Sequence, residues 1–494
     1  MTLRITAGKK KGLDAAADSR GVTLRGEIVT TVSHPQSQQV DASRQLLRSV
    51  QENHGGKHVG IYSICSANRF VLEAGMAQAG RDASLLCIES SANQVNQFGG
   101  YTGQTPAAFA AFVKEVAKAE GFPQEQILLG GDHLGPHVWR AEKASSAMVK
   151  AQDLVQSCVR AGYMKIHLDA SMPCADDPGD RHRPLADELV SARAAELCKA
   201  AEEAHKGLKT GSPAPLYVIG TEVPIPGGEQ QGWEAPGVTS TEDLARTLAM
   251  ARQAFFSRGL QEAWERVIAV VVQPGVEFGD SSVFAYDPAK AKRLALYASK
   301  KWNRAYEAHS TDYQTRGALH DMVRDHFAIL KVGPWLTFAF REAVFALAEM
   351  EEEWLRSRRD VRLSKVRESL EAAMLVNPSD WKGYYRGEEA ELKFARKYSY
   401  SDRSRYYWPQ PGVAAALQRL LNNLTAHPAP ESLVSQYLPK QCEAIREGRL
   451  ENQPRELIRG KILEVLDIYA YACGMGTSAK DGPATLRLGK AHAQ

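Results

Sequence analysis

QILLGGDH, at residues 126–133, is a short apolar run that ends in polar side chains. A helical pattern, KASSAMVKAQDLVQSCVRAG (143–162), follows it, and a second apolar run, MKIHLD (164–169), comes next. A spacer of this length can hold the crossover helix that joins two parallel strands. The stretch therefore predicts the strand–helix–strand unit of an α/β protein.

The same unit repeats from about residue 58 to about residue 335. Further apolar runs at 59–65, 84–90, 216–222, 267–273, 304–309 and 327–332 bring the number of candidate strands to eight. Near-continuous apolar runs are typical of parallel strands that are covered on both faces. A count of eight favours a closed (β/α)8 TIM barrel over an open doubly wound sheet.

Changes in composition and hydrophobic pattern divide the chain into four parts. Residues 1–45 are polar and predict an N-terminal arm, and residues 46–340 predict the barrel. Amphipathic patterns over 341–475 predict a mostly helical addition packed on the barrel, and 476–494 predict a flexible tail.

Composition and motifs exclude several classes of protein. The 61 basic and 58 acidic residues nearly balance, so neither nucleic acid nor a membrane surface is an expected partner. No apolar run is long enough to span a bilayer. The seven scattered cysteines lack metal or disulfide spacing and predict a reducing, cytoplasmic location. The chain has neither a phosphate-binding loop nor a dinucleotide fingerprint, which argues against a P-loop kinase or a Rossmann enzyme.

Polar side chains end all eight predicted strands, where a TIM barrel carries its active site. A single polar strand end is often only solvated, but the joint pattern predicts a site for a ligand rich in hydroxyl groups. The candidate ligand-binding residues are Ser63, Cys65, Glu89, Asn96, Gln97, Asp169, Gln273, Ser310, Asp312 and Lys331.

Three strand ends offer metal-ligand chemistry. His133 and His309 supply imidazole, and Glu222 supplies a carboxylate, a set that leaves coordination positions open for substrate. Asp132, next to His133, is the candidate base, with Asp169 and Glu222 as further catalytic candidates. The alternative is that each is a hydrogen-bonded structural residue.

An aromatic and basic stretch, KYSYSDRSRYYWPQP (397–411), lies within the predicted helical addition. Lys397, Arg403 or Arg405 can contact the phosphate of a sugar phosphate. The other interpretation is that the stretch packs the addition onto the barrel rim.

Several long motifs in one order resemble the tagatose-bisphosphate aldolase GatZ/KbaZ subunit family. They are GGDHLGP (130–136), KIHLDASM (165–172), YVIGTEVPIPGG (217–228), VVQPGVEF (271–278), YEAHSTDYQT (306–315), AILKVGP (328–334) and SYSDRSRYYWP (399–409). The resemblance covers about residues 55–475 and implies a β/α barrel related to class II aldolases.

The resemblance also implies site roles and substrates. Asp132 and His133 match the Asp-His pair of class II aldolases, His309 matches a later ligand histidine, and Glu222 replaces another. We expect a divalent metal, zinc first, with manganese, nickel or cobalt as alternatives. The expected substrate is tagatose, fructose or one of their phosphates, with Asp132 taking the proton of the C4 hydroxyl.

Three activities are compatible with this resemblance. The first is aldol cleavage of the C3–C4 bond. The second is C4 epimerisation, in which the same aldehyde rotates and re-adds. The third is a non-catalytic role as partner of a class II aldolase subunit. A homo-oligomer is expected in each case.

Overall fold

The computed structural model describes residues 42–179, 185–220, 236–302 and 304–475. Eight parallel strands close into a barrel in which each pairs with the next along the chain and the last pairs with the first. This confirms the predicted TIM barrel. The barrel strands are Ile61–Cys65 (β1), Leu86–Ser91 (β2), Ile127–Leu134 (β3), Lys165–Leu168 (β4), Leu216–Ile219 (β5), Val267–Val271 (β6), Ala305–Ala308 (β9) and Ile329–Val332 (β10). Glu277–Phe278 (β7) and Val283–Phe284 (β8) form a small antiparallel pair outside the barrel.

Helices follow the strands and continue after the barrel closes. Their bounds are Ala42–His54 (α1), Arg69–Asp82 (α2), Pro106–Glu120 (α3), Ala144–Arg160 (α4), Asp187–Lys206 (α5), Thr241–Phe256 (α6), Gln261–Glu265 (α7), Pro288–Lys301 (α8), Arg316–Arg324 (α9), Pro334–Leu355 (α10), Val366–Val376 (α11), Glu389–Tyr398 (α12), Pro411–Ala426 (α13), Glu431–Tyr437 (α14), Pro439–Arg446 (α15) and Pro454–Ala472 (α16). Thr105 caps α3 ahead of Pro106, and Ser240 caps α6, as their sequences predict. None of the described helices is long and apolar enough to cross a membrane.

The amino end of the barrel is closed by α1. Leu46 and Val50 of this helix are buried in one apolar cluster with Ile61 and Leu128 from strand starts. The last four residues of the predicted arm, 42–45, begin this helix, and the rest of the arm lies outside the described residues. Because apolar side chains fill this end, polar side chains inside the barrel lie towards its carboxyl end.

The predicted helical addition is present as α10 to α16. Helix α16 packs on α10 and on the barrel helices α2 and α9. Near its end, the Tyr469 hydroxyl donates to the carbonyl oxygen of Thr311, 2.9 Å away, in the loop after β9. The addition is therefore attached to the barrel beside the polar strand ends. The predicted tail, 476–494, lies outside the described residues.

Candidate metal centre at the barrel mouth

The polar strand ends bring together two histidines and two carboxylates. Asp132 lies on β3, His167 on β4, Glu307 on β9 and His309 directly after β9, and all four are buried. One ligand atom from each lies within 4.8 Å of the others. These four residues, the four-residue cluster, come from three strands that are separated in sequence.

The contacts of this cluster fit a divalent cation. His167 Nδ1 lies 3.2 Å from Asp132 Oδ1, and His309 Nε2 lies 3.0 Å from Glu307 Oε1. Among the described residues, none hydrogen-bonds to the buried Nε2 of His167. A buried polar atom of this kind requires an explanation, and imidazole with carboxylate is a donor set that transition metals prefer. The cluster can therefore hold a metal ion.

Burial and mutual charge determine the protonation of the cluster. Burial opposes charge on Asp132, but His133, His167 and His309 outweigh it and lower the pKa of this carboxyl. Burial likewise opposes charge on Glu307, and Lys165 and His309 still lower its pKa to about 2. Both carboxylates are thus ionised at neutral pH, as metal ligands must be.

A chain of alternating charges lies inside the barrel beneath the cluster. Lys165 Nζ lies 2.7 Å from Glu307 Oε2 and 2.5 Å from Glu89 Oε1, and all three side chains are fully buried. Glu89 also contacts Lys331, whose Nζ lies 3.0 Å from Asp132 Oδ1. The chain Glu307–Lys165–Glu89–Lys331–Asp132 therefore begins and ends on a carboxylate of the four-residue cluster.

A glycine on β3 leaves room for this interior chain. Gly130 pairs in register with Glu89 on one side and Lys165 on the other. A Cβ atom at Gly130 would lie 2.8 Å from Cγ of Glu89. The glycines that precede Asp132 therefore serve packing as well as close backbone approach.

His133, the predicted ligand from β3, lies beside the four-residue cluster and is not one of its members. Its Nδ1 lies 2.8 Å from Asp169 Oδ2, and its ring centroid lies 5.0 Å from that of His309. Burial lowers the tendency of His133 to charge, but Asp132 and Asp169 outweigh it and raise its pKa to about 9. The backbone of His133 has a φ of 47°, which turns its side chain away from the strand pattern. Its role as a metal ligand stays a prediction.

Two members of the cluster, Asp132 and His309, line a pocket at the barrel mouth. The predicted residues that line it are Cys65, Asp132, His133, His309, Ser310, Asp312 and Lys331. Arg405, Tyr406 and Trp408 from the aromatic and basic stretch also line it, with Tyr101 from the loop after β2. Lys397 and Arg403 are not among its lining residues. One end of this stretch thus reaches the pocket.

Other predicted residues have positions away from the pocket surface. The amide of Asn96 bonds its own loop at Phe98 and Ala92, and the amide of Gln97 donates to the Lys150 carbonyl. Gln273 Oε1 accepts from the backbone of Gly275 and Val276. These amides hold loops and do not line the pocket, and their role in ligand binding stays a prediction.

Three further predicted residues, Ser63, Glu89 and Glu222, do not line the pocket as described. Ser63 is fully buried within the barrel, where its hydroxyl accepts from the Cys87 thiol at 3.5 Å, and Glu89 lies deeper than the pocket in the charged chain. Glu222, proposed as a ligand and a catalytic residue, lies outside the described residues. The predicted site residues did not include three that form the cluster and the charged chain beneath it: Lys165, His167 and Glu307. Their alternate spacing with Asp169 and His309 is the signal that places them on one face of each strand.

Comparison with known proteins agrees with the fold and the motifs. A family model described as "D-tagatose-1,6-bisphosphate aldolase subunit GatZ/KbaZ-like" matches residues 46–474. This chain belongs to the GatZ/KbaZ-like family. The GatZ subunit of D-tagatose-1,6-bisphosphate aldolase from Escherichia coli O1:K1 is 48% identical over 424 residues, which cover 86% of this chain and 99% of that protein. The GatZ subunit from Shigella boydii serotype 18 matches with the same identity and coverage.

A solved structure also resembles this GatZ/KbaZ-like chain. It is titled "probable tagatose 6 phosphate kinase" from Sinorhizobium meliloti 1021, with 42% identity and a TM-score of 0.75. The match covers 84% of this chain and the whole of that one.

The family motifs meet at the barrel mouth of this GatZ/KbaZ-like chain. GGDHLGP supplies Asp132, KIHLDASM supplies His167, and YEAHSTDYQT supplies Glu307 and His309. SYSDRSRYYWP supplies Arg405 of the pocket. Segments that are far apart in sequence thus share one site.

Proposed function

We propose that this chain is a metal-dependent lyase of the aldolase type, acting on a ketohexose phosphate of the tagatose series. The observation that carries the proposal is the four-residue cluster at the open end of the barrel, in which no described residue hydrogen-bonds to Nε2 of His167. The relatives named as tagatose-1,6-bisphosphate aldolase subunits indicate the substrate class.

His167, Glu307 and His309 would hold the metal, which leaves the fourth member of the cluster, Asp132, to act on the substrate. When bound, a divalent cation polarises a sugar carbonyl and stabilises the negative charge that develops when the C3–C4 bond breaks. Zinc suits two imidazoles with a carboxylate, and manganese, nickel and cobalt are alternatives. His167 Nδ1 lies 3.2 Å from Asp132 Oδ1 and accepts the backbone N–H of His133 at 3.2 Å, so Nε2 is the ring nitrogen without a described hydrogen-bond partner.

Side chains around the cluster would bind and orient the sugar. Asp132 is the residue we assign to accept the C4 hydroxyl proton, since it lines the pocket and is ionised. Asp169 Oδ2 lies 2.8 Å from His133 Nδ1 and holds the His133 ring in place. The side of the pocket that His133 lines is therefore fixed. Ser310 and Asp312 supply polar atoms for hydroxyl groups.

We also propose that this chain works in a larger assembly. The word subunit in the names of its relatives supports a separate aldolase chain as a partner. The pocket of this chain, with its own candidate base and metal ligands, favours catalysis here over a purely supporting role.

The test uses the purified full chain without any partner. Bound metal is measured by mass spectrometry, and D-tagatose 1,6-bisphosphate, tagatose phosphates and free ketohexoses are followed for triose release. Release that is lost with EDTA and in His309→Ala, but kept in the control His427→Ala, would support the proposal.

Two other results would replace it. Formation of the C4 epimer without triose would assign a 4-epimerase. Absence of metal and of turnover, with stimulation of an added class II aldolase subunit, would assign a supporting role.

A further inference from the structure

The amino end of α10 faces the pocket and is already occupied by a carboxylate. Asp312 Oδ1 accepts the backbone N–H of Gly333 at 3.0 Å and that of Trp335 at 2.8 Å. Asp312, Gly333 and Pro334 all line the pocket, and Asp312 is 3% exposed. The free N–H groups and dipole of a helix start form the part of a barrel mouth that most readily binds a phosphate. In this chain a side chain supplies that anion.

This arrangement changes what a ligand can place at the start of α10. A phosphate there would find the N–H donors engaged and a carboxylate beside it, and like charges at short range repel. A hydroxyl group instead can donate to a carboxylate oxygen. The start of α10 therefore favours an end of the sugar that carries a hydroxyl group instead of a phosphate.

The basic residues of the pocket lead to the same conclusion independently. Among the described residues that line it, Lys331 and Arg405 are the ones of the Lys or Arg type. Lys331 is engaged by Glu89 and Asp132. Arg405 is left, and its guanidinium donates to the carbonyls of Ser401 and Asp402 and to the Tyr406 hydroxyl. His133 also lines the pocket, but its ring is paired with the Asp169 carboxylate. Among the described lining residues, Arg405 is thus the cationic side chain without a carboxylate contact, which provides for one phosphate.

We propose that Asp312 is a specificity-determining residue that reserves the start of α10 for a substrate hydroxyl, so that the preferred ketohexose carries at most one phosphate. This inference rests on the proposed sugar site and narrows its substrate class. It assigns the site to a sugar monophosphate or a free sugar, in contrast to the bisphosphate in the names of the relatives.

Equilibrium binding tests the inference without requiring turnover. Titration calorimetry on the metal-loaded full chain would compare D-tagatose 1-phosphate, D-tagatose 6-phosphate, D-tagatose and D-tagatose 1,6-bisphosphate. We expect one monophosphate or the free sugar to bind at least ten-fold more tightly than the bisphosphate. Tighter binding of the bisphosphate than of all three others would overturn the inference.

Two variants assign the preference to Asp312. Asp312→Asn keeps an oxygen for the two N–H donors and removes the charge, so we expect at least ten-fold tighter bisphosphate binding. Affinity for the preferred ligand should change less than three-fold. The control Asp153→Asn, on the exposed face of α4, should leave both affinities unchanged. An unchanged ratio in Asp312→Asn would overturn the assignment, and if that variant does not fold, the preference of the native chain decides.

The outcomes separate this inference from the proposed lyase activity. A preference for a monophosphate or the free sugar without triose release would support the inference and contradict the lyase activity. Triose release from a tightly bound bisphosphate would keep the activity and remove the inference. Absence of binding by all four sugars would overturn the inference together with the sugar site.

Discussion

Replacement of Lys165 by methionine tests the charged chain inside the barrel. Lys165 is fully buried between Glu89 and Glu307, at 2.5 and 2.7 Å. Lys165→Met keeps an unbranched side chain of similar length but leaves the Glu307 carboxylate without its lysine. Removal of one partner of a buried ion pair costs about 3–5 kcal/mol, because the remaining charge cannot be solvated. We expect a loss of this size in the free energy of unfolding.

The assay is urea unfolding of the metal-free chain, followed by tryptophan fluorescence. The double variant Lys165→Met with Glu307→Gln restores the balance, since Glu89 then retains Lys331. We expect the double variant to recover at least about 2 kcal/mol of the loss, because it no longer buries an unpaired charge. Lys199→Met, at an exposed ion pair whose lysine side chain is 60% exposed, should change stability by less than about 0.5 kcal/mol. A single variant within about 1 kcal/mol of the native chain, or a double variant no more stable than the single one, would refute the electrostatic role.

Three further predictions concern the same end of the barrel. His167→Ala and His309→Ala should each weaken divalent-metal binding at least ten-fold in equilibrium dialysis, because each removes a candidate ligand, and unchanged affinity would exclude that residue. Gly135→Ala should lower the free energy of unfolding by about 3 kcal/mol, since its Cβ would lie 1.5 Å from the Asp169 carbonyl oxygen; a native-like melting temperature would contradict this. Burial raises the pKa of Asp312 from 3.8 to about 6, so stability present below pH 4 is lost as the pH rises through 6. Relative to Asp312→Asn, the native chain should therefore lose about 3 kcal/mol over this range in urea unfolding, and a constant difference between pH 4 and 7 would contradict the sign.

The fold was predictable because its signal is local. Each strand is recognisable in the sequence as a short apolar run. Each crossover is a helical pattern, in some cases with a recognisable cap such as Thr105 before Pro106. Even β9, whose sequence contains Tyr306 and Glu307, forms as expected at Ala305–Ala308. A charged residue within it does not oppose a strand, because Glu307 has a buried lysine partner inside the barrel.

The site was predictable only in part. The strand ends predicted a site at the barrel end where the metal cluster lies, and the predicted residues Asp132, His309 and Lys331 line one pocket there. The amides of Asn96 and Gln273 follow strands in the same way, yet they hydrogen-bond their own loops. A polar residue after a strand gives no local signal of whether its side chain turns to the ligand or to the backbone.

The sequence by itself determined the eight strands, their order, the family and the polar end of the barrel, since these follow from hydrophobic periodicity and contiguous motifs. Only the tertiary structure decided which side chains share the metal cluster. Barrel closure brings β3, β4 and β9 together at one depth, with Asp132, His167, Glu307 and His309 within 4.8 Å. It also placed the Asp312 carboxylate on the start of α10. Such distances depend on strand register and loop path across 177 residues, from Asp132 to His309, and local sequence patterns do not encode them.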